Sequence, residues 1–317
     1  MTDTQNEVFK SPVNKIRLFE HGAPGSQNLK LTRKYYTEDM PDGRVKHIVQ
    51  NITDPDIVPY IPDGIGNSTD RQRIPAVLII PGGAFRRLVY NFEGEDVAKW
   101  LNSMGIAAFV LECRLPSDEH DNAEDVPLID AIRAMRVIRG RAQEFGIDEA
   151  KIGVMGFSAG GFMAALLSTA YESDVYADYK YKDEYDKLSA RPDFAVCSYP
   201  VISIDDCIEA GKRYMSEEQV LERISDSKAK ILHKYNPDKL VRPDMPPVFI
   251  CETDDDRTTL SENSVGFYMA ARKAGVSAEL HIFRTGGHGY GCGDDFAQTG
   301  EWKVLFTKWI KSIGIIS

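Results

Sequence analysis

The stretch Ile152-Gly153-Val154-Met155-Gly156-Phe157-Ser158-Ala159-Gly160 decides the fold of this chain. It begins as an apolar run typical of a buried strand, and the small and apolar residues of a packed helix follow from Phe162 to Leu167. A serine at such a strand-to-helix turn, with a glycine two residues away on each side, has the sequence of a nucleophile elbow. Because a serine hydroxyl is a weak nucleophile, it needs an exposed turn, a base and oxyanion donors. Ser158 is therefore the predicted nucleophile, and the alternative is a glycine-rich turn with an incidental serine.

The composition favours one large acidic domain. The chain has 317 residues and a net charge of −10, and 43% of its residues are hydrophobic. That is enough for a single α/β core. Lysine and arginine are scattered and form no basic stripe, so we expect no nucleic-acid partner.

The amino-terminal segment and the cysteines bear on location and metals. Met1 to Lys10 is polar, and no run approaches the ~18 apolar residues that span a bilayer, so we expect a cytoplasmic protein without a membrane partner. The cysteines lie far apart, without metal-ligand spacing, and are predicted to be reduced thiols: Cys113, Cys197, Cys207, Cys251 and Cys292. We expect no metal site.

From Ile74 onward, apolar runs alternate with amphipathic helical patterns. The predicted strands are 76–80, 106–111, 152–155, 194–198, 248–251 and 278–283. The predicted helices are 97–104, 126–145, a segment after Ser158, 262–274 and 301–312. Continuous apolar strands separated by helices indicate a mostly parallel sheet covered on both faces, which is an α/β fold.

The rest of the chain is predicted to extend this domain. Residues 1–73 form an N-terminal extension, in which the alternating stretch Val45 to Ile52 favours a short antiparallel strand or hairpin at a sheet edge. Residues 74–317 form the catalytic domain, with a tyrosine-rich insertion near 171–190 and a charged, helix-forming one near 205–240. Such insertions often cover ligand sites at the carboxyl ends of strands, and the alternative is a solvated surface excursion.

His288 is the best candidate for the base. It lies in Gly286-Gly287-His288-Gly289, after the last predicted strand, and the glycines indicate a loop from which the imidazole can reach the serine. His281 lies inside a strand, and the other four histidines occupy polar segments without a turn signature.

The acid that orients this histidine is predicted within Glu252-Thr253-Asp254-Asp255-Asp256, directly after the strand 248–251. The residues alone do not decide which of its four carboxylates is this acid. The chain order serine, acid, histidine is that of the α/β-hydrolase fold.

The oxyanion hole is predicted at Pro81-Gly82-Gly83-Ala84-Phe85, a glycine turn that ends the first buried strand. The backbone N–H groups of Gly83 or Ala84 are expected to act with that of Ala159. The alternative is a simple turn.

A group of motifs together resembles the α/β-hydrolase esterases of the acetyl xylan esterase-like group, neighbours of the hormone-sensitive lipases. The resemblance covers about Ile74 to Ile313 and rests on the oxyanion turn, the elbow, the histidine loop, Glu93-Gly94-Glu95, Arg191-Pro192-Asp193-Phe194, Tyr199-Pro200 and Met245-Pro246-Pro247. Ala84 replaces the group's usual third glycine, and Cys113 replaces a usual tyrosine.

The resemblance implies the remaining roles. In that group the acid is the aspartate of a D-x-x-V-P stretch before Glu-Asn-Ser, and Glu262-Asn263-Ser264 aligns it with Asp256, although Thr259-Leu260 replaces Val-Pro. It implies a serine carboxylesterase without a cofactor that hydrolyses short acyl esters, including acetyl groups on xylo-oligosaccharides. We expect the chain to act on a small-molecule ester and to be a candidate homo-oligomer. Around the substrate we expect four aromatic side chains: Phe85, Phe157, Tyr199 and Tyr290.

Three rival functions remain at this point. A feruloyl or other aromatic ester hydrolase would use the same machinery. So would a prolyl-oligopeptidase-like peptidase, but the 73 residues before Ile74 are too few for its propeller, at about 40 residues per blade. A non-catalytic small-molecule-binding protein on the same fold would be expected to lack a triad member, and this sequence lacks none.

Overall fold

The fold is described from a computed structural model over residues 9–64, 73–213, 215–216, 218–220, 230–293 and 298–317. The strands are β1 (Ile16–Arg17), β2 (Lys34–Asp39), β3 (Val45–Gln50), β4 (Asp56–Tyr60), β5 (Ile74–Ile80), β6 (Leu88–Val89), β7 (Ala107–Glu112), β8 (Ile147–Phe157), β9 (Ala195–Ser198), β10 (Val248–Thr253) and β11 (Ala278–Phe283). The α-helices are α1 (Asp96–Ser103), α2 (Val126–Gly140), α3 (Ala142–Phe145), α4 (Ala159–Ala170), α5 (Ile204–Lys212), α6 (Lys230–Lys234), α7 (Ser261–Lys273) and α8 (Trp302–Ser312).

A mostly parallel sheet forms the centre of the molecule. Within the described residues its order is β1-β4-β7-β5-β8-β9-β10-β11, and every neighbouring pair from β7 to β11 is parallel. The strands β5, β7, β9 and β10 are buried along nearly their whole length, because helices cover both faces of such a sheet. This arrangement confirms the predicted α/β-hydrolase fold class. It also brings the carboxyl ends of β5, β8 and β10 to one edge.

The six strands predicted after Ile74 are all present, and their boundaries differ by a few residues. The predicted helix 126–145 is two helices, α2 and α3, because the backbone of Arg141 between them leaves the helical conformation (φ −102°, ψ 16°). The large apolar side chains Phe157, Phe162 and Trp302 are fully buried around β8. The core therefore lies directly beneath the predicted nucleophile.

The N-terminal segment contributes to two sheets. The strands β1 and β4 extend the central sheet as an antiparallel edge next to β7. The alternating stretch Val45 to Ile52 contains β3, as predicted, but β3 is not at this edge: it pairs with β2 and β6 in a separate three-stranded antiparallel sheet. The edge strand β4 is a short segment that the alternation pattern did not indicate.

The two insertions differ in how they pack. The segment 171–190 lies against α2, where Arg133 is paired with Asp183 and Arg136 approaches Asp186. The second insertion contains α5 and α6, whereas its residues 221–229 and the side chain of Cys207 lie outside the described residues. The first eight residues of the polar N-terminal segment lie outside them too.

The structure bears on two further expectations, the state of the cysteines and the presence of a membrane-spanning helix. Cys113, Cys197, Cys251 and Cys292 are buried and form no disulfide there. None of the described helices is long and apolar enough to cross a membrane.

A pH-dependent stability effect is expected at Asp118, which accepts the Ile52 N–H at 3.2 Å and joins the loop after β7 to the N-terminal segment. Burial raises the pKa of Asp118 to about 6, above its value in an unfolded chain of ~3.9. The folded state therefore binds the proton more tightly, and the free energy of unfolding falls as pH rises from about 4 to 6. Asp118→Asn keeps the acceptor and should raise the free energy of unfolding at pH 8 by about 1 to 2 kcal/mol. Urea unfolding should show a smaller gain at pH 5, and an equal gain at both pH values would contradict this account.

Candidate active site

Ser158 lies at a strained turn between β8 and α4. Its backbone has φ 55° and ψ −120°, a conformation that persists only where the surrounding structure imposes it. A Cβ at Gly156 would lie 1.9 Å from the carbonyl oxygen of Gly160, and a Cβ at Gly160 would lie 1.9 Å from that of Ile80. Both glycines are therefore required by close backbone contact. The turn places the serine at the carboxyl edge of the sheet.

His288 contacts Ser158 and Asp256 at the same time. Its Nε2 lies 2.8 Å from Ser158 Oγ, and its Nδ1 lies 2.6 Å from Asp256 Oδ2. The imidazole side chain is 22% exposed and the aspartate side chain 0%. The histidine can therefore meet a substrate from solvent, whereas its acid partner is shielded. The structure thus brings together the three residues predicted as nucleophile, base and acid.

Asp256 is held in the loop after β10 by several donors. Its Oδ1 accepts the N–H groups of Thr258 and Thr259 at 2.7 and 3.0 Å, and its Oδ2 accepts the Thr259 hydroxyl at 2.9 Å. Burial by itself raises the pKa of Asp256, but the hydrogen bond and charge of His288 and the two N–H groups outweigh burial and lower the pKa below its usual value. Asp256 is therefore ionised and aimed at the imidazole.

The other carboxylates of the acidic cluster have different positions. Asp254 and Asp255 are exposed, and Asp255 Oδ1 accepts the N–H groups of Gly286 and Gly287 at 2.9 and 2.8 Å. Asp255 therefore supports the loop that carries His288. Glu252 is fully buried, and burial together with the charge of Asp256 raises its pKa well above the usual value. Among the four, Asp256 makes the contact with the histidine.

The turn after β5 has unused backbone donors. Ala84 and Phe85 have φ values of 57° and 58°, and Gly83 has 138°. None of the hydrogen bonds found among the described residues uses the N–H of Gly83, Ala84 or Ala159. Two consecutive non-glycine residues in the left-handed region mark stored strain. The geometry leaves these N–H groups available to an oxyanion.

The four aromatic residues predicted around the substrate are largely internal. Phe157 and Tyr199 are 0% exposed, and Tyr290 is 4% exposed. The Tyr199 ring packs edge-on against His288, with ring centroids 5.0 Å apart. Phe85 borders an apolar cavity of about 10 Å³, room for no more than one water molecule. These side chains support the site from below, and their contact with substrate stays a prediction.

Two contacts at the site were not assigned from the sequence. Glu93, known only as part of a resemblance motif, is buried, and its carboxylate accepts the N–H of Gly82. Asp255 supports the histidine loop. The available signal for the first was its place in Glu93-Gly94-Glu95, directly before a predicted helix. Within the described residues, no group of three His, Cys, Asp or Glu side chains could hold a metal ion.

The strand order, the strained serine turn and the serine–histidine–aspartate contact define a protein of the α/β-hydrolase fold. The chain belongs to the BD-FAE family, whose model matches residues 65–270. The predicted resemblance to esterases of this kind is confirmed.

Two curated proteins are similar in sequence to most of this chain. The acetylxylan esterase of Xylanibacter ruminicola is 31% identical over 240 residues, which are 75% of this chain and 45% of that protein. Endo-1,4-beta-xylanase B of Butyrivibrio fibrisolvens is 31% identical over 227 residues, 71% of this chain and 34% of that protein. The chain thus spans less than half the length of either curated relative.

A solved structure matches over nearly the whole chain. The acetyl ester-xyloside bifunctional hydrolase from Caldicellulosiruptor lactoaceticus is 35% identical, with 96% of this chain and 97% of that chain covered and a TM-score of 0.72. The curated acetylxylan esterase and this solved structure both bear names for ester hydrolysis.

Proposed function

We propose that this protein is a serine carboxylesterase that removes short acyl groups, above all acetyl, through a Ser158–His288–Asp256 triad. The observation that carries the proposal is the pair of distances at His288, 2.8 Å to the serine oxygen and 2.6 Å to the aspartate oxygen. One imidazole in contact with a hydroxyl and a buried carboxylate is the arrangement that activates a serine.

The reaction follows from these contacts. Ser158 Oγ attacks the ester carbonyl carbon while His288 Nε2 takes the hydroxyl proton, and Asp256 stabilises the imidazolium that forms. The carbonyl oxygen becomes negative and accepts the N–H groups of Gly83 or Ala84 and of Ala159. His288 then gives its proton to the departing alcohol, which leaves the acyl group on the serine. Water, deprotonated by His288, then attacks the acyl carbon, the bond to Ser158 Oγ breaks as His288 returns the proton to that oxygen, and the acid is released with the serine restored.

The substrate class rests on the relatives. Two of them bear names for acetyl ester hydrolysis, and one of these is an acetylxylan esterase. We infer that the natural substrate is an acetylated sugar, with acetyl groups on xylo-oligosaccharides as the leading example.

A chain-length and alcohol series tests this substrate class. We expect kcat/KM for p-nitrophenyl acetate to exceed that for p-nitrophenyl octanoate at least about tenfold, and acetate release from acetylated xylo-oligosaccharides to exceed hydrolysis of methyl ferulate. Preference for the ferulate ester would favour an aromatic ester hydrolase instead. Turnover of a proline-containing amide without ester turnover would favour a peptidase. Ligand binding without any turnover would favour a non-catalytic protein.

A further inference from the structure

Glu93 is a fully buried acid that none of the reaction steps above uses. It lies in the helical turn Asn91–Glu95, immediately before α1. Only 5% of the residue is exposed. Because a buried carboxylate is costly unless it is hydrogen-bonded, its partners indicate what it does.

The carboxylate of Glu93 joins two loops of the candidate active site. Its Oε2 accepts the N–H of Gly82 at 2.8 Å, and its Oε1 accepts the hydroxyl of Tyr199 at 2.9 Å. The oxygen of that hydroxyl in turn accepts the N–H of Gly291 at 3.0 Å. One side chain therefore links the turn after β5 with the end of β9 and, through Tyr199, with the loop that follows His288.

The contact with Gly82 fixes the direction of the next peptide groups. Gly82 is held on both sides, because its carbonyl oxygen accepts the N–H of Val89 at 2.9 Å while its N–H is bound to Glu93. A Cβ at Gly82 would lie 2.7 Å from Glu93 Oε2 and 2.9 Å from Ser158 Cβ. The carboxylate thus packs directly behind the turn and beside the nucleophile. With Gly82 fixed, the N–H groups of Gly83 and Ala84 are the ones left to face a substrate.

The second link fixes the loop of the histidine. Gly291 donates its N–H to Tyr199, and its carbonyl oxygen accepts the indole N–H of Trp302 at 3.0 Å. A Cβ at Gly291 would lie 2.5 Å from the carbonyl oxygen of Phe92, the residue before Glu93. The segment that carries Glu93 and the loop that carries His288 are therefore in direct contact.

The hydrogen-bond partners of Glu93 match the ionised form. Both are donors, a backbone N–H and a hydroxyl, and an ionised carboxylate is an acceptor only. Burial raises the pKa of Glu93 above its usual value, and the interaction with His288 and the two donated hydrogen bonds offset only part of this increase.

We propose that Glu93 is a positioning residue for the ester hydrolysis proposed above: it orients the oxyanion turn through Gly82 and holds the histidine loop in register through Tyr199. It touches neither the substrate nor the reacting atoms. The inference rests on the proposed function, because it concerns the same triad and the same oxyanion turn.

Glu93→Gln is the decisive variant because it keeps the volume of the side chain. Its amide has one acceptor oxygen and one NH₂ group, so one of the two donors, Gly82 N–H or Tyr199 O–H, must face another donor. We expect kcat for p-nitrophenyl acetate to fall about 100-fold with KM changed by less than about threefold, because the lost alignment matters in the transition state. The concentration of active sites is measured by titration with a fluorophosphonate, so that unfolded protein does not lower the calculated kcat.

A thionoester reports on the oxyanion hole itself. In p-nitrophenyl thionoacetate, sulfur replaces the carbonyl oxygen and accepts hydrogen bonds poorly, so native enzyme should favour the oxygen ester. We expect Glu93→Gln to lower the oxygen-to-sulfur ratio of kcat/KM about tenfold, because its oxyanion donors are misaligned. A role only in folding would leave this ratio unchanged.

Two further variants complete the experiment. Glu112→Gln is the matched control, since Glu112 is also a buried glutamate but forms its ion pairs with Lys15 and Arg33, and it should keep the native ratio. Tyr199→Phe removes one of the two hydrogen bonds to Glu93 and should lower the oxygen-to-sulfur ratio a few-fold. This variant tests the positioning role if Glu93→Gln does not fold.

The outcomes separate the two proposals. A native ratio in every folded variant of Glu93 and Tyr199 overturns the positioning role and leaves the esterase intact. An equal fall in the Glu112→Gln control overturns it too, because the effect would then follow from any buried charge. If the native protein hydrolyses neither ester, the proposed function fails, and the role of Glu93 fails with it.

Discussion

Replacing Ser158 with alanine is expected to lower kcat for p-nitrophenyl acetate by about 10⁵-fold or more. Without the hydroxyl, no acyl-enzyme can form, and only substrate binding and the oxyanion donors remain to accelerate attack by water. His288 Nε2 loses the hydroxyl that lies 2.8 Å away in the native protein. Covalent labelling by a fluorophosphonate should be lost in the same variant, as seen by intact-protein mass spectrometry.

A second serine on the same helix provides the matched control. Ser168 is 0% exposed in α4 and donates its hydroxyl to the carbonyl oxygen of Ala164 at 2.7 Å, remote from the histidine. We expect Ser168→Ala to keep kcat within about threefold and to be labelled like the native protein. Both variants should unfold at similar temperatures, because alanine is as able as serine to occupy these backbone positions. Full esterase activity in Ser158→Ala would refute the proposed triad.

Much of the central fold could be predicted because its signal is local. The strands β5 and β7, the second half of β8 and most of β10 are apolar runs, and such runs between helical patterns already specify a parallel sheet. The placement of Ser158 and His288 on the same edge follows from this, since the loops at the carboxyl ends of all strands of one parallel sheet lie at one edge. The chain order of serine, acid and histidine then points to this fold.

The N-terminal strands could not be located in the same way. β1 has two residues and β4 has five, with a proline at position 59. The pairing of β4 with β7, and of β1 with β4, depends on the tertiary arrangement and not on a local period. For the same reason the alternation around Val45 correctly indicated β3 as an antiparallel strand but not the sheet to which it belongs.

The burial of the predicted pocket residues could not be read from the sequence either. Phe157 ends β8 and Tyr199 directly follows β9, and both side chains are fully buried, so that their contact with substrate stays a prediction. In a strand, successive side chains alternate between faces, so a shift of one residue separates a lining residue from a supporting one. Glu93 is the converse case: it is more than 60 residues from Ser158 in sequence and beside it in space.

The acid of the triad can be identified by substitution, because three consecutive aspartates have three different environments. Asp256→Asn is expected to lower kcat about 10⁴-fold. The asparagine oxygen can still accept the N–H groups of Thr258 and Thr259, so the loop should remain in place. Its amide, however, donates where His288 Nδ1 needs an acceptor, and this favours the tautomer with Nε2 protonated, which cannot take the proton of Ser158.

The two neighbouring aspartates serve as controls with graded expectations. Asp254 is exposed, and Asp254→Asn should leave kcat and KM within about twofold of native values. Asp255→Asn keeps an acceptor for Gly286 and Gly287 but loses its charge, so a loss of about three- to tenfold is expected from a less firmly held histidine loop. Steady-state kinetics with p-nitrophenyl acetate ranks the three variants. A larger loss in Asp254→Asn or Asp255→Asn than in Asp256→Asn would assign the acid to that residue, because only the acid in contact with Nδ1 controls the tautomer on which proton transfer from Ser158 depends.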